Sequence, residues 1–154
     1  MQHTIIDCYT DEPAGLGVPP YLGTYPRYIA GYLDSDVAYL TIDDLRLWKK
    51  HNGKVFSPKI SQKTDITTYN LTSNCRDVSE ILNETDELII VLGVHVPGKY
   101  LSAIPGTLNE IIPLIKDLKC RKILTGPAVF GTQLFGGKFF EKADLSAFDK
   151  VSYE

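Results

Sequence analysis

The chain has 154 residues, enough for one domain, and its 44% hydrophobic content supports a packed core of two or three layers. A net charge of -3 argues against a nucleic-acid-binding surface, which requires clustered Lys and Arg. No apolar run reaches the roughly 18 residues of a membrane helix, and the first residues lack the pattern of a signal peptide. We therefore expect no membrane partner. The three cysteines lie far apart and form no pair motif, so we expect a cytoplasmic protein.

The first 53 residues predict two strands, each followed by a helix. Residues 4–9 begin with a β-branched run and predict a buried strand. A helix is then predicted from about Thr24, because apolar residues recur there at helical spacing. The residues expected on its single apolar face are Tyr25, Tyr28, Ile29, Tyr32 and Leu33. Residues 37–41 predict a second strand, and Thr41 with Asp44 resembles the capping box of a helix that ends at Gly53.

The middle of the chain predicts a loop, a short helix and the strongest strand. Residues 54–73 are polar and have no period, which indicates a loop with room for a short hairpin. Asn74 and Asp77 are expected to cap the next helix. Residues 88–92 are apolar throughout, so they predict a central strand that is covered on both faces.

The last third of the chain repeats the alternation of helix and strand. Thr107 with Glu110 resembles a second capping box, and Pro113 in the helix behind it loses a hydrogen bond and favours a kink. Residues 121–125 predict a strand, and residues 150–154 resemble a strand cut short. The whole pattern predicts an α/β fold of the Rossmann or flavodoxin type: an open, mostly parallel sheet with helices on both faces.

Three loops rich in Gly and Pro are predicted at the carboxyl edge of the sheet, the edge at which parallel strands end and doubly wound folds bind ligands. These loops are residues 10–21, 93–99 and 126–131. Because glycine lets a backbone approach a ligand closely, three such loops favour a shared ligand cleft. The candidate binding residues are Thr10, Asp11, Glu12, Gly15, Leu16, Gly17, Pro19, Pro20, Tyr21, Val94, His95, Val96, Pro97, Gly98, Gly126, Pro127 and Ala128.

Several side chains allow both a functional and a structural interpretation. His95, the one histidine inside these loops, either contacts a ligand, binds a metal or carries a proton, or else bonds a nearby carbonyl. Asp11 and Glu12 either bind a ribose, bind a metal or act as a base, or else are held by backbone N–H groups at the end of a strand. Cys8 is expected to be an inert buried thiol, and both His3 and His51 are expected to be structural.

No common catalytic motif is complete. Residues 131–138 resemble a phosphate-binding P-loop, but Gly137 occupies the Lys position and Phe139 follows Lys138. The chain has no Gly-x-Gly-x-x-Gly after the first strand, no Gly-x-Ser-x-Gly elbow, and no Cys and His at zinc spacing. We therefore expect no turnover from the isolated chain.

Parts of the first and second loops resemble a known domain. The string Pro19-Pro-Tyr-Leu-Gly23, followed by Tyr28-Ile-Ala-Gly-Tyr-Leu33, is similar to the start of the amino-terminal cobalamin-binding-type domain of radical-SAM proteins. Residues 7–20 and 93–101 look like the archaeal branch of that family, and residues 124–128 are similar to its strand-Gly-Gly-Pro element. The resemblance covers residues 4–33 and 86–131.

This resemblance implies that residues 1–154 are a single cobalamin-binding-like domain at the amino-terminal end of a longer radical-SAM protein. Its partner would be the radical-SAM catalytic domain of the same polypeptide. Its cofactor would be cobalamin, with His95 as the possible cobalt ligand. The iron–sulfur cluster and S-adenosylmethionine would belong to the catalytic domain, because this chain lacks the Cys-x-x-x-Cys-x-x-Cys loop.

One departure from the family pattern concerns the cobalt ligand. Members that bind cobalt through a histidine carry Asp-x-His-x-x-Gly after the first strand, and that loop has no His here. The string His95-Val-Pro-Gly98 does read His-x-x-Gly, but it follows the central strand, and Gly93 stands in place of the Asp.

Three functional hypotheses remain open. The first is a cobalamin-type module that serves a radical-SAM domain. The second is an interaction domain of the same fold that packs on the catalytic barrel without a cofactor, and fold analogy does not separate these two. The third is a free-standing enzyme that uses a nucleotide or flavin at the same edge, but no phosphate loop and no nucleophile–base pair supports it.

Overall fold

The computed structural model describes residues 1–8, 24–54, 61–63, 66–68, 77–93, 106–130, 132–133, 140–141 and 144–152. The strands in these residues are β1 His3–Asp7, β2 Val37–Thr41, β3 Ser61–Lys63, β4 Ile66–Thr68, β5 Glu87–Val91, β6 Arg121–Thr125, β7 Thr132–Gln133, β8 Phe140–Glu141 and β9 Lys150–Val151. The helices are α1 Thr24–Leu33, α2 Ile42–Lys50, α3 Val78–Glu84 and α4 Leu108–Ile115, and a short 3-10 helix spans Pro127–Phe130.

Five strands form one parallel sheet in the order β2-β1-β5-β6-β9. The predicted α/β fold of Rossmann or flavodoxin type is therefore confirmed. The chain adds β2 on one side of β1 and every later sheet strand on the other side, so the order reverses between β1 and β5. Two antiparallel pairs, β3–β4 and β7–β8, stand apart from this sheet, and the first of them is the short hairpin expected within residues 54–73.

The sheet is covered on both faces. The larger apolar cluster joins Ile6, Leu40 and Leu88 to buried residues of α2, α3 and α4. The smaller cluster consists of Ile5, Ile89, Val91 and Ile123, and α1 packs against it. Leu88 and Ile90 are fully buried, which confirms β5 as a central strand covered on both sides.

Helix α1 begins where the sequence predicted, and the prediction of its apolar face is right for Ile29 and Leu33 but wrong for Tyr28 and Tyr32. Ile29, Ala30 and Leu33 pack on the sheet, whereas Tyr28 and Tyr32 are 74% and 89% exposed. Both sets of residues recur at helical spacing, so the period alone does not choose between them. The set that faces the sheet consists of smaller side chains without hydroxyl groups, and it lets the helix lie closer to the strands.

The two predicted capping boxes differ in the structure. At the start of α2, Thr41 and Asp44 form the complete reciprocal box. At the start of α4, the Thr107 hydroxyl accepts the Glu110 N–H, but the Glu110 carboxylate accepts two hydrogen bonds from Arg46, at 2.7 and 2.9 Å. A charge-assisted bidentate pair is stronger than a bond to a backbone amide, which explains why Glu110 turns toward α2.

This ion pair joins the fifth residue of α2 to the first turn of α4, and both helices begin at the carboxyl edge. Arg46 also donates to Asp43 at 3.1 Å. The hydrogen bond from Arg46 is the main reason that the pKa of Glu110 lies below its usual value. The same bond raises the pKa of the Arg46 guanidinium. The pair therefore favours the charged form of both groups.

We expect Glu110→Gln to lower the free energy of unfolding by roughly 0.5–1 kcal/mol near neutral pH, because the pair is partly exposed and screened. The pKa of Glu110 is lowered by folding, so its contribution is present above its unfolded pKa of about 4.3 and is lost as the pH falls through the lower folded value. Urea unfolding at several pH values should show the two proteins converging in acid. The exposed Glu84→Gln is the control, and a native-to-variant difference that persists in strong acid would contradict this account.

Candidate functional site

The carboxyl edge of the sheet is built from the last residues of three adjacent strands. Asp7, Val91 and Thr125 are in register across β1, β5 and β6. The order of strands reverses between the first two of these, and ligands bind doubly wound sheets in the crevice at such a reversal. All three residues are buried, so this row lies beneath the candidate site and is called its floor here.

Two polar pairs flank the apolar Val91 in this row. The buried Asp7 carboxylate accepts a hydrogen bond from the Tyr39 hydroxyl at 2.8 Å. The Thr125 and Tyr25 hydroxyls are 3.0 Å apart, and either can donate to the other. Asp7, Tyr39 and Thr125 were not among the residues predicted for the site. An aspartate that ends a buried apolar strand is the sequence signal that would have pointed to this polar floor.

The chain that leaves β1 is fixed by its neighbours from both sides. The Cys8 N–H donates to the Val91 carbonyl at 3.0 Å, and the Gly106 N–H donates to the Cys8 carbonyl at 2.7 Å. A Cβ on Gly106 would lie only 3.0 Å from Ile42 and 3.1 Å from the Cys8 Cβ, so Gly106 packs directly on Cys8. Burial, followed by the charge of Asp7, raises the pKa of the Cys8 thiol far above its usual range. The prediction of a buried thiol is confirmed, and the raised pKa agrees with the expected low reactivity.

The chain segments that follow β5 and β6 contact each other through two glycines. Gly93 and Gly126 have φ values of +87° and +95°. A Cβ on Gly93 would lie 2.4 Å from the Ala128 nitrogen, and a Cβ on Gly126 would lie 2.5 Å from the Leu92 oxygen. The Ala128 N–H donates to the Leu92 carbonyl at 3.1 Å across this contact. The contact between these segments accounts for both glycines without any ligand.

The structure describes three of the predicted binding residues. Gly126 is partly buried, Pro127 is exposed and Ala128 is buried, so Gly126 and Pro127 present surface at the carboxyl edge. The remaining candidates, in residues 10–21 and 94–98, lie outside the described residues. Their binding role, including that of His95, stays a prediction.

The described histidines lie away from this edge. His3 begins β1 at the opposite, amino edge, where its Nδ1 lies 3.5 Å from a Glu87 carboxylate oxygen. His51 follows the last turn of α2, and its N–H donates to the Leu47 carbonyl. Within the described ranges, no group of three or more His, Cys, Asp and Glu could hold a metal ion. No helix in the same ranges has the length and apolar character needed to cross a membrane.

No family model matches the chain, and no solved structure matches it. An uncharacterized protein of the archaeon Methanocaldococcus jannaschii is 39% identical over 155 residues, which cover 97% of this chain and 23% of that protein. An uncharacterized protein of Archaeoglobus fulgidus is 33% identical over 152 residues, with the same two coverages of 97% and 23%. The chain therefore spans less than a quarter of the length of these two archaeal relatives.

Each of the changes Gly93→Ala and Gly126→Ala should lower the free energy of unfolding by at least about 2 kcal/mol. Alanine pays roughly 1–2 kcal/mol for the left-handed backbone alone, and its Cβ would also collide with the neighbouring segment. Gly31→Ala is the matched control, because a Cβ there has nothing within 4 Å; in the helix it should stabilise by roughly 0.5–1 kcal/mol. Chemical denaturation measures the free energy of unfolding of all three variants. A value for Gly93→Ala equal to that of the native chain would refute the contact.

Proposed function

We propose that this chain is the accessory, cobalamin-type cofactor-binding domain of a radical-SAM protein, without catalytic activity of its own. The observation that carries the proposal is the strand order β2-β1-β5-β6-β9. It puts the reversal between β1 and β5, and the segments that follow these two strands hold the sequence strings that resemble the cobalamin-type domain. An independent physical rule for ligand position thus selects the same two loops as the resemblance.

The floor places polar groups beneath the edge at which a large, flat corrin would lie. Val91 is fully buried under α1, and the polar pairs Asp7–Tyr39 and Thr125–Tyr25 lie on either side of it. These pairs would serve polar groups at the corrin periphery, and backbone groups of the loops would do the same. His95, four residues after β5, is the candidate cobalt ligand. Bound cobalamin would supply the cobalt chemistry, while the chain would bind and orient the corrin.

The length of the relatives supports a partner in the same polypeptide. Each relative is matched over only 23% of its length, which leaves ample room for a catalytic domain. The iron–sulfur cluster and S-adenosylmethionine would be held there. In this chain Cys8 and Cys120 are free and buried, so neither is placed to ligate a cluster.

The second candidate function is a cofactor-free interaction domain of the same fold. The observation that favours it is the contact at Gly93 and Gly126, since the contact explains these glycines by packing alone. In that case the carboxyl edge would be closed by protein rather than by a corrin.

Titration of the purified chain with hydroxocobalamin separates these two functions. We expect a saturable change in the visible spectrum with one corrin per chain. If His95 ligates cobalt, His95→Ala should weaken binding tenfold or more, about 1.4 kcal/mol, and shift the bound spectrum. His3→Ala and His51→Ala are the controls and should bind like the native chain. An unchanged spectrum in His95→Ala would remove it as a ligand, and no binding by the native chain would favour the interaction domain.

A pair of threonine variants tests the described floor separately from His95. Thr125→Val removes the hydroxyl that contacts Tyr25 at the carboxyl edge, and Thr4→Val removes the hydroxyl that contacts Thr85 at the amino edge. Each loss should cost about 1 kcal/mol of stability. Only Thr125→Val should weaken the binding of hydroxocobalamin. Equal affinities in the two variants would exclude the floor from the binding site.

A further inference from the structure

A stripe of exposed aromatic side chains runs along α1. Tyr28 and Tyr32 are 74% and 89% exposed, and Tyr25 is 38% exposed. These three residues, called here the tyrosine ridge, follow one another at spacings of three and four, so they lie along one side of the helix. Next to them, a Cβ on Gly31 would have nothing within 4 Å. Tyrosine is enriched in protein interfaces, and an exposed stripe of this kind on a helix is typical of a docking surface.

The hydrogen bond of Tyr25 gives the direction in which the ridge faces. Its hydroxyl contacts Thr125 of β6, whereas the sheet-facing side of α1 packs among residues that include Val37 and Tyr39 of β2. The ridge therefore lies on the flank of α1 that faces β6 and β9. It begins at the carboxyl edge with Tyr25 and continues toward the amino edge with Tyr32.

The sheet face below this flank holds fewer helices than the opposite face. Of the four helices in the described ranges, α2, α3 and α4 pack on one face, and only α1 packs on the other. On the α1 side, Ile123 of β6 pairs with Lys150 of β9, and Lys150 is exposed. Ile123 itself is buried, so a second helix here would lie beside α1 and contact the tyrosine ridge with its apolar side.

We propose that the tyrosine ridge docks a helix from the part of the longer polypeptide that the two archaeal relatives have outside the matched region. The matched region is 23% of each relative, so this other part makes up the remaining 77%. The outer strand β9 ends at the carboxyl edge beside the start of the ridge, so a segment that continues from it reaches the ridge without crossing the sheet. The inference rests on the longer polypeptide of the proposed function and is independent of cobalamin.

Hydroxyl-radical footprinting tests this docking directly. The modification rates of Tyr28 and Tyr32 are measured in the 154-residue chain and in the longer polypeptide that carries it. Both rates should fall roughly fivefold or more in the longer polypeptide, because buried side chains react far more slowly than exposed ones. Equal rates in the two proteins would overturn the proposal, and so would a gene that encodes only these 154 residues.

Two variants give a second readout. The double change Tyr28→Ser and Tyr32→Ser should release the docked helix in the longer polypeptide, seen as faster limited proteolysis. It should leave the unfolding midpoint of the 154-residue chain nearly unchanged, because both side chains are exposed there. Arg27→Ser, on the solvent side of α1, is the control and should change neither property.

The remaining occupant to exclude is a second copy of this chain. Sedimentation of the 154-residue chain should show a monomer, and a dimer that the double serine change dissociates would overturn the proposal. Hydroxocobalamin titration of the same samples separates the two proposals. If hydroxocobalamin binds but Tyr28 and Tyr32 are not protected in the longer polypeptide, only the docking proposal is refuted. If the two tyrosines are protected but hydroxocobalamin does not bind, only the cofactor function is refuted.

Discussion

The burial of β5 on both faces determines most of this architecture. Leu88 and Ile90 belong to the larger cluster, and Ile89 and Val91 belong to the smaller one. A strand with no polar face needs helices above and below the sheet, and short parallel strands joined by helical crossovers provide them. Parallel strands then end at one edge. The carboxyl edge, with its row of Asp7, Val91 and Thr125, is thus a geometric consequence of an apolar strand.

The contacts at this edge make a rigid base for the loops that leave it. Gly93 and Gly126 allow backbone contact between the segments after β5 and β6, and Gly106 allows the same over Cys8. The bidentate pair of Arg46 and Glu110 joins the two helices that begin there. Each contact uses groups that would otherwise be available to a ligand. The pairs Asp7–Tyr39 and Thr125–Tyr25, on the α1 side, are further polar groups that the structure describes at this edge.

Local patterns in the sequence predicted the elements, and long-range contacts decided what the patterns left open. The apolar run at residues 88–92 and the Thr41–Asp44 box are local signals, and both predictions were confirmed. The predicted face of α1 was wrong for Tyr28 and Tyr32, because these residues and the buried ones recur at the same helical spacing. The second capping box formed only in part, because Glu110 met Arg46, which is 64 positions away. The polar floor was missed for the same reason: Tyr25 and Thr125 are 100 positions apart.

The first turn of α1 is where the two proposed surfaces meet. Tyr25 is the first residue of the tyrosine ridge, and its hydroxyl also contacts Thr125 in the floor of the candidate site. In the proposed function, a corrin at the carboxyl edge and a helix on the ridge would therefore share one side chain. A ligand that changes the Tyr25–Thr125 hydrogen bond would change the affinity of the ridge for its helix, and linkage requires the reverse effect to be equal. This arrangement would connect cofactor binding to the packing of the domain on its catalytic partner.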